Sequence, residues 1–231
     1  KKYNYPVIGI TGSNGKTIVK EWLSEALQGV FEIVKSPRSY NSQIGVPLSV
    51  LLMHEQFNLA IFEAGISLPG EMGKLEKIIS PEFGIFTNIG DAHQENFTST
   101  RQKIKEKLLL FKNCKKLIYC NDFEEVRTEI VKFCEHNQTQ GISWSLTGKK
   151  ATISFSIKEK NESTEIVAKT ESYTNTFTIP FTNYSAIENA CHCYVLSCLL
   201  LNDPMVILQQ FRKLEPLAMR LEIKQGINNC I

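Results

Sequence analysis

The chain has no long apolar run. Its longest strongly apolar stretch, Tyr194 to Leu201, falls far short of the roughly 20 residues a membrane-spanning helix needs, so no membrane insertion is expected. It also has no excess of one charge. The net is +2, and no basic run is interleaved with aromatics, which argues against a nucleic-acid partner. Internal repeats and low-complexity linkers are absent. No methionine stands at residue 1, and Lys1 to Pro6 lead straight into an apolar strand pattern. That reads as a piece cut from a longer protein, with no signal peptide. Paired cysteines are missing too. The seven cysteines are odd in number and sit mostly in apolar periodic segments (Cys120, Cys134, Cys191, Cys198), which predicts reduced, buried thiols in a cytoplasmic protein. Cys191-His192-Cys193 has no second Cys/His pair at zinc spacing, so no zinc site is expected.

What is present suits one large globular domain: 231 residues, 42% hydrophobic and 22% charged. Up to about residue 145, short apolar strand patterns (6–11, 31–35, 58–64, 83–88, 116–120, 140–144) alternate with helical ones (15–28, 46–55, 71–79, 98–112, 123–136). This predicts an α/β fold, a mainly parallel sheet flanked by helices. From about 148 to 181, alternating residues such as Ile153, Phe155 and Ile157 predict a small antiparallel β extension. Helices are expected again over 184–201 and 204–214, and a strand leading out over 220–231.

The most informative tract is Val7 to Thr11 followed by Gly12-Ser13-Asn14-Gly15-Lys16-Thr17. An apolar strand ends in a glycine-rich turn, and Gly-Lys-Thr opens a helix carrying Trp22, Leu23, Ala26 and Leu27 at helical spacing. Such a turn lets backbone N–H groups close round a phosphate, with a lysine charge and a hydroxyl free for magnesium. Ile10 stands where the usual phosphate loop has its first glycine, so this is a shorter G-x-x-G-K-T variant.

Other candidates fall at strand ends, where open α/β sheets bind ligands. Glu63 closes the strand 58–64 and can ligate a nucleotide's magnesium. Asn88 closes the strand 83–88, and Asp91 and His93 follow it on the same edge. Lys107 lies at the rim of the stripe Ile104, Leu108, Phe111. It either snorkels past that face or, desolvated, becomes a neutral nucleophilic amine. The polar loop Ser36 to Gln43, with Asn41 and Ser42, lies where substrate is commonly held, and its composition equally suits an ordinary connection.

Together these tracts resemble the central ATP-binding domain of the Mur ligases, the amide-forming enzymes of peptidoglycan precursor synthesis. Four markers carry the likeness in order: Gly12 to Thr17, Glu63-Ala64-Gly65, Thr87 to His93, and Lys107 ahead of Leu110-Phe111. Asn189-Ala190 and Met219-Arg220 follow. Asn41 to Leu48 and Ile89 to His93 are most like the members that join D-alanyl-D-alanine to UDP-N-acetylmuramoyl-tripeptide. Ser36 to Leu48 further resembles the version fused to an alanine racemase.

The resemblance implies ATP and two magnesium ions. Gly12, Ser13, Asn14, Gly15, Lys16 and Thr17 would hold phosphates, and Thr17 with Glu63 would also hold the first ion. His93 would help bind the second together with Lys107, carbamylated by CO2. Asn189 would read adenine, Arg220 would reach the phosphates, and Asn41, Ser42 and Asn88 would contact substrate. It also implies an N-terminal UDP-binding domain and a C-terminal domain, both absent from this chain. A sibling Mur ligase, a folylpolyglutamate synthase, a P-loop kinase or NTPase, and a non-catalytic nucleotide-binding module are the competing readings.

Overall fold

The computed structural model describes residues 3–92, 94–201, 203 and 205–216. The first strand, β1 (Val7–Thr11), is buried at every position and feeds the helix α1 (Lys16–Leu27). Next come β2 (Ile33–Lys35), α2 (Gly45–Val50), β3 (Leu59–Glu63), α3 (Met72–Ile79) and β4 (Phe83–Phe86). The chain continues through α4 (Thr100–Leu108), β5 (Lys116–Cys120), α5 (Glu124–Asn137) and β6 (Gln140–Ser145). Three longer strands follow, β7 (Ile153–Lys160), β8 (Ser163–Lys169) and β9 (Thr174–Ile179), and then α6 (Tyr184–Leu200) and the single turn α7 (Met205–Leu208).

The nine strands of the described residues form one sheet in the order β2-β3-β1-β4-β5-β6-β7-β8-β9, parallel from β2 to β7 and antiparallel beyond. Successive strand residues alternate between its faces. Ile8, Ile10, Ile61 and Ile118 pack on the side covered by α1 and α6. Val7, Ala60, Phe62 and Leu117 pack on the opposite side, with residues of α3, α4 and α5. Both faces are dry, which is why the central strands are apolar throughout. The strand order reverses about β1, with β3 on one side and β4 on the other. Thr11, Glu63 and Phe86 therefore end side by side at the carboxyl edge, in the crevice that doubly wound sheets use for ligands.

The α/β architecture follows the expectation, and the antiparallel strands arise where the alternation placed them. They are not a separate layer, however. β7 joins β6 in parallel through only Trp144↔Ile153 and Ser145↔Ser154. A parallel crossover normally takes a dozen or more residues. The short link over 146–152 suffices because the chain steps back only those two pairs. Asp122 caps it, accepting from Ser145 Oγ (2.5 Å), Leu146 N (2.8 Å) and Thr147 Oγ1 (2.7 Å). These bonds hold the Asp122 carboxyl below its usual range despite partial burial, which pushes the other way.

Several boundaries differ from the sequence pattern. The segment expected as helix over 46–55 ends at Val50, because Leu52 N and Met53 N turn back onto Ser49 O and Val50 O. Leu51 is left 80% exposed. The helix expected over 98–112 becomes a 3₁₀ turn at Leu109–Phe111, and the one over 204–214 is α7 followed by the 3₁₀ turn Gln210–Lys213. Cys120, Cys134 and Cys191 are buried, whereas Cys198 is only half-buried. The strand expected over 220–231 lies outside the described residues.

Candidate active site

Gly12 and Gly15 shape the turn after β1. Their φ values of +151° and +80° suit glycine, and a Cβ at Gly12 would come 1.9 Å from Thr87 Oγ1. The turn is tied to the loop after β4. Thr87 Oγ1 donates to Asn14 O (2.6 Å), and Ser13 N and Asn14 N donate to Asn88 O (2.9 Å) and Asn88 Oδ1 (3.0 Å). Ser13 Oγ takes Gly90 N at 2.9 Å. The Ser13 and Asn14 amides are therefore committed to Asn88, and Asn88 supports the loop with both oxygens. That narrows the anion-binding donors to the start of α1, whose first turn has no side-chain cap and no acidic residue. Uncapped N–H groups with a favourable dipole are what a phosphate needs.

Lys16 Nζ folds onto its own turn, donating to Gly12 O (2.9 Å) and Ser13 O (3.1 Å). One residue on, Thr17 Oγ1 donates to Glu63 Oε2 at 2.9 Å. Glu63 is fully buried, and its other oxygen, Oε1, lies 3.3 Å from Lys20 Nζ. A hydroxyl beside a carboxylate is a donor set that magnesium accepts, since that ion keeps several waters and takes phosphate oxygens for the rest. No group of three or more His, Cys, Asp or Glu able to hold a metal occurs among the described residues.

Lys107 does not snorkel. It is 3% exposed, and its Nζ donates to Gly12 O at 3.1 Å. Burial, and then the charges of Lys16 and Lys103, push its amine down to about 7. The described neighbourhood thus leaves much of it neutral near pH 7, the state that can take up CO2. One turn earlier, Lys103 is buried on the same face of α4 and donates to Gly90 O at 2.6 Å. Burial lowers this amine as well, while Asp91 and Glu95 raise it. His93 and Arg220 lie outside the described residues.

A cavity of about 370 Å³ opens here, lined by Gly12, Ser13, Lys16, Asn41, Ser42, Gln43, Ile44, Gly65, Glu71 and Lys107, among others. Asn41 and Ser42 thus reach the same space as the phosphate turn and Lys107. Asn41 O accepts from Gly65 N at 2.7 Å, which seats the loop on the end of β3. Asn189, buried on α6, lies against Gly15: a Cβ there would come 2.3 Å from its Oδ1.

Sequence reasoning missed three supports, Lys20, Lys103 and His192, and gave Thr87 only as the start of the marker Thr87 to His93. The lysines carried a signal, since Lys20 falls with Leu23 and Leu27 on the buried stripe of α1, and Lys103 stands four residues before Lys107. His192 carried none for this role. Its ring nitrogens meet Trp144 Nε1 (3.2 Å) and Thr87 O (3.0 Å).

Residues 10–197 match the protein family described as Mur ligase middle domain. Over 119 residues the chain is 36% identical to a UDP-N-acetylmuramoyl-tripeptide–D-alanyl-D-alanine ligase of Bacillus subtilis, covering 50% of this chain and 26% of that protein. It superposes on MurF of Acinetobacter baumannii with a TM-score of 0.84 at 21% identity, over 97% of this chain and 49% of the other. MurF of Thermotoga maritima, solved in complex with ADP, gives 0.77 at 22% identity over 90% and 48%. At such identities the structural likeness concerns the fold. The chain spans about half the length of these solved structures and less of the Bacillus protein. Among the described residues, no helix is long and apolar enough to cross a membrane.

Proposed function

Since the chain belongs to the Mur ligase family through its middle domain, we propose that it is the ATP-binding core of a ligase that joins D-alanyl-D-alanine to UDP-N-acetylmuramoyl-tripeptide in peptidoglycan precursor synthesis. The observation that carries this reading is the convergence of Lys16, Lys107, Asn41 and Ser42 on one cavity, beside the Thr17–Glu63 pair. The reaction takes place in the cytoplasm.

The α1 amino terminus and Lys16 bind the ATP phosphates, with the Gly12 to Gly15 turn shaped around them, and Arg220 adds a second cation. Asn189, placed beside Gly15, reads the adenine. Thr17 and Glu63 hold one magnesium ion, and His93 with carbamylated Lys107 a second. These ions supply charge neutralisation between two anions that otherwise repel. Asn41 and Ser42 orient the tripeptide, while Asn88 acts on substrate indirectly by holding the turn.

A terminal carboxylate oxygen of the tripeptide attacks the γ-phosphorus, and the bond to the bridging oxygen breaks. ADP leaves with that electron pair, and an acyl phosphate is formed. The amine of D-alanyl-D-alanine then attacks the acyl carbon, phosphate departs, and the amine loses a proton. The protein contributes positioning and fixed charge, as in other phosphoryl transfers. Closure of a further domain over ATP and the incoming amine would complete the site.

The test is acceptor-dependent ADP release by the full-length enzyme supplied with ATP and UDP-N-acetylmuramoyl-tripeptide. D-alanyl-D-alanine is expected to trigger it. Release triggered by a different amine would assign a sibling ligase or folylpolyglutamate synthase. Acceptor-independent turnover that survives Lys107→Ala would assign a P-loop NTPase.

A further inference from the structure

Lys20 stands one helical turn beyond Lys16 and is fully buried. Its ammonium meets Ser36 O (2.7 Å), Arg38 O, Glu21 Oε1 (3.0 Å) and Glu63 Oε1 (3.3 Å). An ammonium has three protons to direct and no acceptor lone pair, so these oxygens are drawn to one point beneath the site. The second oxygen of Glu63 is left to Thr17. Ser36 grips the same carboxylate residue from the other side, its Oγ accepting Glu63 N at 3.2 Å. Arg38 adopts a left-handed backbone with φ +47°, a conformation that a non-glycine residue keeps only when its surroundings hold it. Three residues further on, Asn41 to Ile44 line the cavity.

We propose that Lys20 is a positioning residue that couples the carboxylate at the magnesium site to the substrate loop. This rests on the function proposed above. A cation or nucleotide that fixes Glu63 also fixes Lys20, and with it the carbonyls that set the course of residues 36–40. By linkage the effect runs both ways: ordering Asn41 and Ser42 around substrate tightens the magnesium site. The helix therefore senses both halves of the reaction through one buried charge. Neither Lys20 nor Ser36 and Arg38 line the cavity, so the coupling needs no direct contact with either ligand.

The test uses the full-length enzyme, a fluorescent ATP analogue and magnesium titrations with and without UDP-N-acetylmuramoyl-tripeptide. In the wild type the tripeptide is expected to lower the magnesium half-saturation by roughly fivefold or more, the lower range of ordinary coupling. Lys20→Gln keeps two donors but removes the charge. It should abolish that shift and raise the half-saturation itself roughly tenfold, with magnesium-free binding of the analogue unchanged. A variant with wild-type half-saturation and wild-type shift overturns the proposal. Should the variant fail to fold, hydrogen exchange on the wild type decides instead. Magnesium with ATP must slow exchange at residues 36–40, and unchanged exchange there overturns the coupling. If the wild type shows no magnesium-dependent binding at all, it is the ligase reading that fails.

Discussion

His192 Nδ1 accepts a hydrogen bond from Trp144 Nε1 at 3.2 Å, which leaves the proton of a neutral imidazole on Nε2, 3.0 Å from Thr87 O. Indole nitrogen can only donate, so the tautomer follows. Thr87 in turn holds Asn14 O with its hydroxyl, and the buried ring thus supports the phosphate turn from behind. Burial pushes this imidazole down to about 4, against a smaller upward effect of Thr87 O. Below pH 6.5 the unfolded chain takes a proton that the folded chain refuses until about pH 4. Stability should therefore fall across that window, by about 1.4 kcal/mol per pH unit where the difference is complete. Glu188, pushed up to about 7 by burial and then by Asp122, titrates in the same range with the opposite sign. The informative quantity is thus the difference between wild type and His192→Phe in urea unfolding at pH 6.5 and 5. The variant should begin about 1–3 kcal/mol weaker, from two unpaired groups, and lose less on acidification. Equal losses would exclude the mechanism.

Lys107 should cost stability in proportion to its usefulness. Its amine sits at about 7 when folded and near 10.5 when unfolded. Between those values the unfolded chain binds the extra proton, so wild-type stability climbs as pH rises from 7 to 10.5. Lys107→Met removes the climb. In metal-free, CO2-free buffer at pH 8 it should be more stable by on the order of 3 kcal/mol, converging on the wild type by pH 10.5. Ligase turnover should be lost. A destabilised variant at pH 8 would mean that the Gly12 O contact outweighs the buried charge.

Much of this site was legible because its signals are local. The phosphate turn and Glu63 at a strand end follow from residues a few positions apart, whereas the helical stripe alone left Lys107 open between a snorkelling and a desolvated amine. The supports were not, since the sheet creates them: His192 and Thr87 meet across 105 positions. Lys20 was readable as a lysine on a buried stripe, but apart from Glu21 its partners come from the ends of β2 and β3. The apolar run Leu51-Leu52-Met53 misled in the other direction, extending a helical pattern where the chain turns away and leaves Leu51 and Leu52 exposed. The join of β7 to β6 was hidden because two residue pairs leave no periodic trace.

Gly15 and Asn189 give a test of the turn that separates space from backbone conformation. Gly15→Ala places a Cβ 2.3 Å from Asn189 Oδ1 at φ +80°. Both effects act, and the expected loss is about 1–3 kcal/mol in thermal unfolding. Adding Asn189→Ala clears the side-chain clash and should return part of that stability. It should not restore nucleotide binding, because the left-handed strain remains and the adenine contact is gone. A single variant that melts with the wild type would show that the turn tolerates a side chain.

Thr17 separates the hydroxyl from the shape it occupies. Its Oγ1 is the donor to Glu63 Oε2, and in the proposed function the same oxygen ligates magnesium. Thr17→Ser keeps that oxygen and should bind magnesium with ATP nearly as the wild type does. Thr17→Val keeps the volume, removes the oxygen and leaves a buried carboxylate oxygen without its donor. Its magnesium half-saturation should rise by about 10–100-fold, the range found when groups that orient a metal ligand are removed. Nucleotide binding without magnesium should change far less, because Lys16 and the α1 amino terminus are untouched. The decisive measurement is the pair of titrations on both variants. If valine and serine bind magnesium alike, the Thr17–Glu63 pair holds the fold together and plays no part in gathering the cation.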